Sequence, residues 1–74
     1  MELHMHITDL HSGRRKVELR LPANVAAVAL RQGARLIPPG HNAAELTEAL
    51  QREQPLDLLL VDESNGERIV ITIR

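Results

Sequence analysis

Three histidines near the start of the sequence, His4, His6 and His11, are the side chains best spaced for chemistry. His4 and His6 are separated by one residue. On a strand they share a face, and both rings can reach a single ion. His11 follows in a turn, and Glu18 on the next strand offers a carboxylate oxygen. Zinc usually takes three or four such ligands, so His4, His6 and His11 form the candidate metal site. An exposed strand face that binds nothing carries histidines as readily.

The other reactive side chains read more simply. Asp57, Asp62, Glu63 and Glu67 flank a turn and read as solvated charges rather than a paired acid and base. Arg14, Arg15, Lys16 and Arg20 make a basic patch, but Glu18 interrupts it and the formal net charge is −1, so nucleic acid is not an expected partner. There is no Phe, Tyr or Trp to stack on bases. Ser12 and Ser64 sit in turn segments without a nucleophile elbow around them. No glycine-rich phosphate loop is present, and without Cys there is no thiolate chemistry. The expectation is a non-enzymatic protein with no cofactor and no catalytic residue.

The elements that must position these side chains are legible from periodicity. Residues 3–8 alternate, with Leu3, Met5 and Ile7 on one face and His4, His6 and Thr8 on the other. Asp9 to Gly13 reads as a turn, Asp9 bonding back to the backbone and Gly13 taking a positive φ. A second alternating run puts Val17, Leu19 and Leu21 inward, which predicts an antiparallel hairpin with a bulged loop. Residues 22–37, PANVAAVALRQGARLI, have helical spacing, and Pro38-Pro39-Gly40 stops them. Stepping about 100° per residue from Val25 gathers Ala26, Ala29 and Gly33 into a small-residue groove flanked by Leu30, Leu36 and Ile37. A second helix starts at Asn42 with Ala43, Leu46, Ala49 and Leu50 on its apolar stripe, and Pro55 closes it. Residues 56–61, LDLLLV, are apolar on both faces and read as a strand central in a sheet or covered on both sides. Asn65-Gly66 marks a last hairpin, which residues 68–74 complete with Ile69, Ile71 and Ile73 on one face.

The predicted fold is therefore α+β, in the order strand-strand-helix-helix-strand-strand. It is an antiparallel sheet with both helices on one face. A β-grasp-like arrangement, with the last strand beside the first, is the alternative. The expected core is Leu3, Met5, Ile7, Val17, Leu19, Leu30, Leu36, Leu46, Leu50, Leu58, Leu60, Ile69, Ile71 and Ile73. At 74 residues the chain reads as a single domain, 1–74, with a thin stability margin and an all-aliphatic core. Such cores gain from oligomerisation, so a homodimer is expected. Its contact residues would be Gly33, Ala26 and Ala29 in the helix groove, or Leu59, Val61 and Val70 on the second sheet face. The Pro-Pro-Gly break could act as a hinge that exchanges halves between subunits. Another protein is a further candidate partner. No run of about 18 apolar residues suggests a membrane span, and the alternating first residues do not read as a signal peptide. The cytoplasm is the expected location.

The segments ITDLHSGRRKVELRLP, GARLIP and GERIVITIR carry a resemblance over essentially the whole chain. They combine a Thr-Asp turn with Gly, a strand ending Arg-aliphatic-Pro, a helix ending near Gly-Ala-Arg and a closing hairpin through Gly-Glu. In this the chain resembles the SHOCT-like domain of bacterial cell-envelope stress-response proteins and of small bacterial proteins of unassigned function. The resemblance implies an α+β interaction or self-assembly module. It carries over no catalytic residue.

Overall fold

Alternation of apolar and polar residues with period two commits four segments to one sheet. In the computed structural model, which describes residues 1–38 and 40–74, β1 is Glu2–Asp9, β2 Arg15–Pro22, β3 Leu56–Asp62 and β4 Glu67–Ile73. Between the hairpins lie α1, Ala23–Arg31, and α2, Ala44–Arg52. The sheet order is β2-β1-β4-β3, and every neighbouring pair is antiparallel. The last strand does lie beside the first, but antiparallel to it. The hairpins therefore join through β1 and β4 into one sheet within a single chain. Of the Pro-Pro-Gly break, Pro39 lies outside the described residues.

Register explains why the pairing is specific. Met5 faces Leu19 on one side and Ile71 on the other, and Ile71 faces Leu58. The rows above and below run Leu21-Leu3-Ile73-Leu56 and Val17-Ile7-Ile69-Leu60. A slip of one residue in β1, β2 or β4 would turn its apolar set to water. Both helices cover this face. Ala23 and Ala26 of α1 and Leu46, Ala49 and Leu50 of α2 are buried with Leu3, Met5, Ile69, Ile71 and Ile73. Each fully covered Leu or Ile contributes about 1.5–3 kcal/mol. Val17 is the expected core residue that stays 44% exposed, because β2 is an edge strand and the helices do not cover it there.

The first helix is shorter than its periodicity predicts and ends at Arg31 rather than residue 37. Gly33 takes φ +94°, its N–H donates to the Leu30 carbonyl at 3.1 Å, and the Ala34 N–H donates to the Ala29 carbonyl at 3.0 Å. This paired capping pattern satisfies the last carbonyls of the helix. Gly33 therefore serves the turn, and among the described residues a Cβ there would meet nothing within 4 Å. Ile37 still reaches the core, but from the connection. The buried arc of α1 is Ala23 and Ala26, with Ala27 and Leu30 packed beside them, while Val25 points outward.

The second helix is entered through Asn42, whose Oδ1 accepts the Ala44 N–H at 2.8 Å. It leaves through Glu53, a non-glycine residue at φ 54°, with the Gln54 N–H donating to the Ala49 carbonyl at 2.9 Å. A left-handed conformation costs an L-residue about 1–2 kcal/mol. Glu53→Gly should therefore raise stability by about 0.5–1 kcal/mol after the extra freedom of glycine in the unfolded chain is subtracted. Gly33→Ala should lower it by about 1 kcal/mol. Urea unfolding followed by far-UV circular dichroism measures both. A loss for Glu53→Gly would contradict the capping account.

Candidate functional site

The helices cover one face of the sheet, so the other face is where the fold presents side chains. Its rows follow from the same register: Arg20-His4-Thr72-Asp57, then Glu18-His6-Val70-Leu59, then Arg15-Thr8-Arg68-Val61. The face is divided across its width. The β2 and β1 half is charged and carries the histidines. On the β4 and β3 half, Leu59 is 63% exposed and Val61 43% exposed, with Val70 directly opposite Leu59.

This placement corrects the reading of β3. A strand apolar on both faces was expected either at the centre of the sheet or covered on both sides, yet β3 is an edge strand with an exposed outer face. Its inner residues, Leu56, Leu58 and Leu60, pack only partly against the core. Leu59 and Val61 on the outer face remain exposed among the described residues.

On the polar half, His4 and His6 stand edge to face with ring centroids 5.7 Å apart. His4 Nε2 lies 3.1 Å from Glu18 Oε1, and Arg15 Nη1 donates to Glu18 Oε2 at 3.1 Å. The bond to His4 and the Arg15 guanidinium together hold the Glu18 carboxyl below its ordinary range. His11 sits apart. Its ring lies over Gly66 in the β3–β4 turn, at the far end of β1 from His4. The structure thus groups His4, His6 and Glu18 and leaves His11 outside. Among the described residues, no three His, Asp or Glu side chains converge so as to hold a metal ion. One equivalent of zinc is expected to leave the melting temperature unchanged, and a rise of several degrees reversed by EDTA would contradict that geometry.

The turns carry the rest of the polar chemistry. The backbone N–H groups of Ser12 and His11 both donate to Asp9 Oδ1 at 2.9 Å and lower the Asp9 pKa. Ser64 Oγ donates to Asp62 Oδ1 at 2.7 Å and Asn65 Nδ2 to Asp62 Oδ2 at 2.8 Å, which lowers the Asp62 pKa likewise. Ser12 Oγ accepts the Arg14 N–H. Both serines are thus engaged in turn structure. Lys16 Nζ reaches Glu67 Oε2 at 3.0 Å, tying the basic first hairpin to the acidic last one within the chain.

These carboxylates give the pH dependence a sign. A folded pKa below the unfolded one contributes stability that is fully present above the unfolded value and lost as pH falls through the folded one. Asp9, Glu18 and Asp62 are all of this kind. The melting temperature should hold at neutral pH and fall below about pH 4. Asp9→Asn with Asp62→Asn should flatten that fall in a pH series of thermal melts.

Of the helix residues expected at an interface, Ala26 is fully buried against the sheet and Ala29 partly so. Their small size serves the contact within the chain. What α1 and α2 present outward is a shallow groove of about 710 Å³ over Ala27, Val28, Leu30 and Leu50, with Arg31 and Glu53 at its rim. Val28, 44% exposed, and Ala27 lie there although the periodicity did not single them out. Among the described residues no helix is long and apolar enough to cross a membrane.

No curated protein and no solved structure matches the chain. The model of one family, described as YvlB-like protein, C-terminal domain, matches residues 2–72. This overturns the SHOCT-like resemblance, which rested on turn and capping residues such as Asp9, Gly13, Gly33 and Gly66 that unrelated domains with the same turns share. The chain belongs to the YvlB-like protein, C-terminal domain family.

Proposed function

We propose that this domain is a non-enzymatic interaction module that associates with a second copy of itself as a homodimer. One observation supports this above the others. The helices leave the outer sheet face bare, and its β3 side holds Leu59 and Val61 next to Val70. An exposed leucine is ordinary when isolated, but a contiguous apolar patch on an edge strand marks a contact surface. Composition adds to the reading, since an aliphatic core of this size gains stability from assembly.

The test is the concentration dependence of the thermal melt. Association of folded chains stabilises them by mass action, so the melting temperature should rise across a range from about 5 to about 500 μM. Far-UV circular dichroism suits the measurement because the chain has no Trp or Tyr. A melting temperature independent of concentration would count against self-association.

A further inference from the structure

We infer that two copies join edge to edge through β3, antiparallel, about a two-fold axis through Leu59, so that two four-stranded sheets become one of eight strands. This deepens the self-association reading above and rests on it.

The two free edges of the sheet differ in kind. β2 carries Arg15, Lys16, Glu18 and Arg20 along its length. Charges on an edge oppose pairing with another chain. β3 carries no charge from Leu58 to Val61. As the last strand in the order it also keeps one side of its backbone free of any sheet partner among the described residues. Its inner residues are half covered because the sheet stops there. A neighbouring strand would supply that cover and would satisfy the free N–H and C=O groups.

The sequence of β3 is self-complementary in one register. In an antiparallel pair, directly opposite residues share a face, so a two-fold axis normal to the sheet must pass through a residue. With the axis at Leu59 all seven residues of β3 find partners. Leu59 then meets its own copy, Leu58 meets Leu60, Asp57 meets Val61, and Leu56 meets Asp62. No carboxylate faces another. Asp57 already holds Arg74 at 3.2 Å, and Asp62 is satisfied by Ser64 and Asn65. Moving the axis to Leu60 sets Asp57 against Glu63, and moving it to Leu58 drops two residues from the overlap. The same axis keeps the helices of both copies on one side. It also joins the exposed Leu59 and Val61 of each chain into one apolar strip on the other side.

The experiment uses the full chain, which has no native cysteine. Leu59→Cys places two thiols directly opposite each other, at a Cα separation of about 4.5–5.5 Å, within disulfide reach. Mild oxidation should convert most of that variant to a linked dimer. Asp57→Cys puts its thiols about 13 Å apart along the strands and should not link. In the unmodified protein, hydrogen exchange at the alternate β3 amides facing away from β4 should slow as concentration rises. Equal linking at both positions would overturn the register. A dimer that neither links through Leu59→Cys nor protects those amides would overturn the edge contact and leave self-association standing, as a face-to-face stack of the sheets. A chain that stays monomeric by mass would overturn both.

Discussion

Truncating Ile71 to alanine should cost the fold about 2–5 kcal/mol. Ile71 is 0% exposed and lies on β4, one of the two interior strands, between Met5 of β1 and Leu58 of β3. The helices close the space above it, so the neighbours cannot collapse freely into the cavity. A domain of this size is stable by only about 4–11 kcal/mol, at 0.05–0.15 kcal/mol per residue. The substitution therefore removes a large fraction of the margin. At about 4–8 °C per kcal/mol, the melting temperature should fall by about 10 °C or more. Urea unfolding followed by circular dichroism measures the loss, with Val25→Ala as a control. Val25 is 47% exposed and its truncation should stay within about 0.5 kcal/mol. A cost below about 1 kcal/mol at Ile71 would contradict its place at the centre of the core.

The second large effect is on assembly. Leu59→Lys should abolish self-association while leaving the melt of the isolated chain nearly unchanged. The side chain is 63% exposed, so a charge there does not disturb the core. In the proposed dimer the two lysines would face each other across the axis, and lysine on an edge strand opposes pairing. A loss of about 2 kcal/mol or more would raise the dissociation constant at least about 30-fold. Sedimentation equilibrium with interference optics reads the change. An unaltered dimer would exclude β3 from the contact.

The distribution of signal along the chain explains which features could be read in advance. Strands β1, β2 and β4 alternate strictly because each has one buried and one open face, and such strands announce themselves. The Asp9 turn and the Asn65-Gly66 turn carry residues with a conformational reason to be there, and Gly13 and Gly66 do take positive φ. α1 was overextended because Leu36 and Ile37 happen to continue its spacing, although Gly33 turns the chain before them. Spacing reports which residues are buried, and a connection can bury them as well as a helix can. The continuous apolar run of β3 says that both faces avoid water, but not whether the cover comes from the same chain. The order of the hairpins depends on long-range pairing that no local pattern encodes. For the candidate site, Leu59, Val61 and Val70 were legible as a second apolar face. The separation of His11 from His4 and His6 was not, since the rise along β1 and the bulge after Ile7 set it.

The central claim is that the domain meets a second copy of itself. Its most direct test is the absolute mass in solution, by size exclusion with light scattering and refractive-index detection. The account predicts a species of twice the 8.3 kDa chain mass at high concentration, dissociating on dilution. A mass of 8.3 kDa at every concentration would contradict it.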